Sequence, residues 1–131
     1  MRRLGLPLGA ALLFLGFGLI YGRRLMRVAV SGHSMEPSLR DGDWLIVDRR
    51  ARLGVGDVIV ATDPRENSRV IIKRVVALGT DQTLQLGSDH PAHAGEQIGP
   101  VNPKEVLGRA WLRYWPPSRP GLVRPSSRRC A

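Results

Sequence analysis

A chain of 131 residues has room for one domain with appendages, and its single cysteine, Cys130, supplies neither an intrachain disulfide nor a cysteine-based metal site. The net charge of +9 suggests a nucleic-acid partner only until it is divided along the chain. Residues 1–30 carry five arginines and no acid, residues 113–131 carry five more and no acid, and residues 31–112 hold ten basic against eleven acidic side chains. A near-neutral middle without a basic stripe and interleaved aromatics speaks against a membrane-tethered nucleic-acid binder.

The first element is Leu4 to Tyr21, LGLPLGAALLFLGFGLIY, which contains no charge. As a helix it would be about 27 Å long, close to the roughly 30 Å of a hydrocarbon core. Arg2 and Arg3 bracket it on one side and Arg23, Arg24 and Arg27 on the other, where long stems can snorkel toward headgroups. A cleavable leader would need small residues before the cut, and the boundary reads IYG. The expectation is one transmembrane helix retained as an anchor, residues 1–27, whose orientation the arginine balance does not set.

Beyond the anchor the pattern changes to short β-type runs. RVAVSG, WLIV, DVIVAT, VIIKRVVAL, TLQL and VLGRAWLRYW read as strands, separated by turn signals at residues 41–43, 54–57, 63–67 and 79–82. Residues 28–115 are therefore expected to form a mainly β, small antiparallel domain. Residues 90–103, HPAHAGEQIGPVNP, read as an irregular loop, and residues 116–131 as a disordered basic tail rich in proline and arginine.

Two residues carry candidate chemistry. Ser34 follows a strand and lies between Gly32 and Pro37 on a hinged turn. Such a serine is ordinarily a cap, and Glu36 stands where a hydrolase elbow would need its second glycine. His33 is adjacent and points away in an extended chain. Lys73 is one of only two lysines against eighteen arginines, and on a strand it shares a face with Ile71 and Val75. Burial penalises an ammonium and leaves an amine able to accept a proton, whereas an arginine would stay charged. A serine on a hinged turn and a desolvated lysine are what a serine–lysine dyad requires.

The boxes around these residues resemble the type I signal peptidase family. SGHSMEPSLRDGD is similar to the pattern S-G-x-S-M-x-P-T-L-x-x-G-D, GDVIVA to the next box, and IKRVVALGTD to the box with the family's general-base lysine. The resemblance runs from about Val28 to Gly108. It implies a small antiparallel β domain of the signal peptidase type, Ser34 as nucleophile, Lys73 as base, and Met35 beside the substrate. It further implies an oxyanion site at the Ser34 N–H, with Gly32 where some members place a second, hydroxyl donor.

The last box departs from the family's G-D-N and S-x-D-S-R. Here it reads GSDHPAHAGEQIG, in which Ser88 and Asp89 replace aspartate and asparagine, and His93 falls where a serine orients the lysine. His93 and Ser88 are thus the candidates for lysine support. Arg113-Tyr114-Trp115-Pro116 resembles the end of the short members that mature nickel-type superoxide dismutase. The implied activity is a single-pass, membrane-anchored serine endopeptidase, its catalytic domain extracytoplasmic, removing signal peptides or propeptides from precursor proteins. Membrane lipid is the other expected partner, and no metal or cofactor is called for. His33, His90, His93 and Asp89 lack metal-site spacing. A dedicated superoxide dismutase maturation protease and an inactive scaffold are the alternatives.

Overall fold

The computed structural model describes residues 7–125. Helix α1, Leu8–Arg24, starts immediately after Pro7, whose fixed φ suits the entry to a helix. Its 17 residues bury none of their side chains: Leu8, Phe14 and Ile20 are 83%, 71% and 63% exposed. The expected uncharged run Leu4 to Tyr21 is helical from Leu8 onward. Leu4 to Leu6 lie outside the described residues, and the helix runs on to include Arg23 and Arg24 in its last turn. Among the described residues no helix is long and apolar enough to cross a membrane.

The rest is one antiparallel sheet. Its strands are β1 (Leu25–Ala29), β2 (Trp44–Asp48), β3 (Val58–Asp63), β4 (Glu66–Leu78), β5 (Leu84–Gly87), β6 (Gln97–Val101), β7 (Val106–Trp115) and β8 (Gly121–Leu122). The spatial order is β1-β2-β7-β3-β4-β5-β6, with β8 on β7. Helix and sheet join through Arg24, whose guanidinium donates twice to Asp48 at 2.9 and 2.8 Å.

Strand alternation builds two cores. Val58 and Val60 of β3 point into a cluster with Val30, Met35, Leu39, Leu45, Val47 and Ala110. Ile59 and Ala61 point to the other side, into a cluster with Ile71, Val75, Leu84, Leu86, Ile98 and Val101. A strand buried on both faces reads as an unbroken apolar run, as VIVA does.

Two expectations fail for the same reason, burial of isolated apolar residues in polar-looking stretches. The segment expected to be an irregular loop, 90–103, contains β6, because Ile98 and Val101 fill the second core while β6 pairs with β5. The segment expected to be a disordered tail is folded through Pro125. β8 pairs with β7, and Val123 packs against the first core with its N–H bonded to the Trp111 carbonyl at 2.9 Å. Residues 126–131 lie outside the described residues.

Candidate active site

Ser34 is carried by the loop between β1 and β2. The loop is closed at its base by Val30 N–H donating to the Asp43 carbonyl at 2.7 Å and Gly42 N–H to the Val30 carbonyl at 2.9 Å. Gly32 sits at φ +91°, a conformation that side chains rarely tolerate. A Cβ there would meet nothing within 4 Å, so the backbone and not the space demands glycine. The Gly32 N–H is engaged by Asp41 Oδ1 at 2.8 Å. Met35 and Leu39, each 2% exposed, plug the loop into the first core. Ser34 is thereby held half-buried beside them. His33 faces away, 2.7 Å from Glu36.

Across from this loop runs β4. Its first half pairs only with β3, since β5 joins from Arg74 onward, and β1 is itself an edge strand. Between the two free edges lies a cleft of about 190 Å³ lined by residues 28–32, Ser34, Met35 and residues 69–73. Ser34 and Lys73, thirty-nine positions apart in sequence, thus line one cleft.

Lys73 Nζ donates to Ser88 Oγ at 2.9 Å. Loss of hydration pushes the Lys73 pKa down from its ordinary value, opposed by the Glu96 carboxylate and aided by Arg65 and Arg69, with Asp63 also pulling it up. His93, the other candidate for lysine support, lies on a 3₁₀ turn, Pro91–His93, and is turned to Glu96 Oε1 at 3.0 Å with its side chain about half exposed (47%). His90 caps that turn, its Nδ1 accepting from Ala92 N–H at 3.1 Å. The His90 N–H donates to the Ser34 carbonyl at 3.0 Å, tying the loop after β5 to the serine loop.

The residue next to the lysine was not singled out from sequence. Arg74, 9% exposed, forks onto Asp89 with Nε–Oδ1 2.7 Å and Nη2–Oδ2 2.6 Å, and donates to the Gly56 carbonyl at 2.6 Å. Two consecutive residues of β4 therefore hold two consecutive residues after β5: Lys73 holds Ser88, and Arg74 holds Asp89. The signal was available, since an arginine inside VIIKRVV needs a buried carboxylate partner. The choice of Asp89 follows only from the β4–β5 register, in which Arg74 lies opposite Gly87.

A cleft joining a half-buried serine to a half-buried lysine suits acyl transfer. A family described as "Signal peptidase, peptidase S26" matches residues 1–85, more than half of the chain. The chain belongs to this family. Its relatives include mitochondrial inner membrane protease subunit 2 of Danio rerio, 32% identical over 133 aligned positions covering 79% of this chain and 72% of the relative. Subunit 1 of the same protease from Xenopus tropicalis is 32% identical, covering 68% of each chain. The Arabidopsis thaliana protein, mitochondrial ATP-independent inner membrane protease subunit 1a, is 28% identical over 72% of this chain and 73% of its own. None of these three relatives carries a name that points to nickel-type superoxide dismutase. The family match ends before Ser88.

Proposed function

We propose that the chain is a membrane-associated serine endopeptidase that removes N-terminal leaders from precursor proteins, with Ser34 as nucleophile and Lys73 as general base. The observation that carries this reading is the shared cleft, in which Lys73 is half-buried and has one N–H directed at Ser88. That bond leaves the lone pair of the neutral amine free to turn toward the serine. Lys73 takes the proton as Ser34 Oγ bonds to the scissile carbonyl carbon, then delivers it to the leaving amine as the C–N bond breaks. Water attacks the acyl-enzyme, giving a proton to Lys73, which returns it to Ser34 Oγ. The Ser34 N–H serves the oxyanion, since position 32 has no side chain and its N–H is held by Asp41.

Substrate enters as an extended strand between the free edges of β1 and β4, bonded through its main chain. Such a strand presents alternate side chains to the cleft floor at Met35, a mode that selects small residues one and three positions before the cut. The wholly exposed apolar surface of α1 seats the enzyme on the membrane that holds its substrates, with the catalytic domain on the extracytoplasmic face.

The test is hydrolysis of a precursor whose leader ends in Ala-x-Ala, alongside a nickel-type superoxide dismutase precursor. Ser34→Ala and Lys73→Arg should each abolish turnover while leaving the fold intact. Full activity in either variant overturns the dyad, cleavage of the dismutase precursor alone narrows the substrate to that protein, and cleavage of neither favours a scaffold.

A further inference from the structure

The folded segment after β7 bonds the base of the serine loop and the residue that follows Lys73. Arg119 Nη2 donates to both oxygens of Asp43, at 2.9 and 2.8 Å, and Asp43 is only 2% exposed. Asp43 also accepts from Arg40 N–H at 2.9 Å, and its carbonyl takes the Val30 N–H that closes the serine loop. Arg113, on β7, bonds the Arg119 carbonyl through Nε and the Ser38 carbonyl through Nη1 at 3.0 Å. On the lysine side, Arg74 Nη1 donates to the Arg124 carbonyl at 3.3 Å, while the rest of its guanidinium grips Asp89 next to Ser88. Val123 packs onto the cluster that contains Met35 and Leu39. A cavity of about 220 Å³ remains under the strand, lined by Ser38, Leu39, Arg74, Arg113 and residues 121–124.

We infer that residues 119–124 are a positioning strap that sets the serine loop and the lysine support against each other. The strap touches neither Ser34 nor Lys73. It acts through two short relays, Arg119–Asp43 to the serine loop and the Arg124 carbonyl through Arg74–Asp89 to Ser88. Each relay is built of charged or backbone groups in partly buried surroundings, where a lost partner is felt more than at the surface. Over the cavity beneath the strap these relays add to the direct ties between loop and sheet, the His90 N–H to the Ser34 carbonyl and Ile72 against the Met35 cluster, in setting their spacing. The inference rests on the proposed dyad.

The test deletes residues 119–131 from the full chain and compares it with a chain lacking only 126–131. Peptide hydrolysis is measured well below each protein's melting temperature, and lysine 13Cε resonances are followed against pH. Only two lysines are present, Lys73 and Lys104, so two resonances are assigned, with Lys104→Arg identifying each. The longer deletion should lower kcat at least tenfold with KM changed less than threefold, and should move the Lys73 titration up toward its ordinary value as water enters. The shorter deletion should do neither. Arg119→Ala should lower kcat and Arg119→Lys should restore part of it. If the longer deletion prevents folding, Val123→Ala is read the same way with a smaller effect. A folded, strapless protein with unchanged kcat and unchanged Lys73 titration overturns the inference. If the intact chain cleaves no peptide, the proposed activity fails, and the Lys73 titration alone still decides whether the strap reaches the lysine.

Discussion

Ser88→Ala tests how the candidate lysine is directed. The substitution removes one hydroxyl and the 2.9 Å bond to Lys73 Nζ, and leaves Asp89 with Arg74. A neutral hydrogen bond contributes about 1 kcal/mol, which by itself is roughly fivefold in rate if it is realised only when the amine is aimed. The larger consequence is geometric. Lysine has a flexible four-carbon stem, and misplacing a reacting atom by about 1 Å can cost on the order of a hundredfold. The expected fall in kcat is therefore about 10- to 100-fold, with KM little changed because Ser88 does not line the substrate cleft. Ser88→Thr, which keeps a hydroxyl, should recover much of the loss. His93→Ala should stay within about threefold of the parent, because that ring is turned to Glu96. Initial rates on a leader peptide, with folding checked by thermal melts, measure all three. Equal kcat in the parent and Ser88→Ala, or an equal loss in His93→Ala, would refute this account of lysine support.

The lowered Lys73 pKa carries two consequences for pH. The rate should climb as pH rises through the depressed folded value, below 10.5, and Lys73→Met should erase that limb together with activity. Stability follows the same group: between the folded value and 10.5 the unfolded chain binds more protons, so the parent should gain stability with rising pH there relative to Lys73→Met in paired melts. Asp48 and Asp63 give a slope of the same sign at the acid end. Arg24 and Arg65 hold their carboxyls below 3.8, so their contribution is present above that pH and lost as pH falls through the folded values; Asp48→Asn and Asp63→Asn should each flatten the acid limb of a stability titration. Gly108→Ala should destabilise the sheet by about 1–3 kcal/mol, because its Cβ would lie 2.7 Å from the Asp48 carbonyl oxygen and 2.7 Å from a Val47 methyl. A melting temperature unchanged by that substitution would contradict the close β2–β7 approach.

Local patterns were enough to find six of the eight strands, because each side chain's face follows from its parity along the chain: VIVA and VIIKRVV announce burial by composition alone. The same parity exposed Lys73 as a lysine among apolar neighbours, and Gly32 and Pro37 marked the turn that carries Ser34. The partners of those residues were decided elsewhere. Ser88 and Asp89 meet Lys73 and Arg74 because β5 pairs with β4 in one register, and a shift of one residue would have turned both polar groups to the opposite face. β6 and the strap look irregular in sequence because each buries only one or two apolar residues, Ile98 with Val101 and Val123, too few to show a period. Their order comes from surfaces that exist only after the sheet has closed. Composition likewise placed Arg119 and Arg124 in a disordered basic tail, whereas Arg119 answers the buried Asp43 and the Arg124 carbonyl answers Arg74. Residue type and spacing thus determined which groups could do chemistry, and tertiary pairing of distant polar groups decided which of them stand together, since no local rule encodes a contact across seventy-six positions such as Arg119 with Asp43.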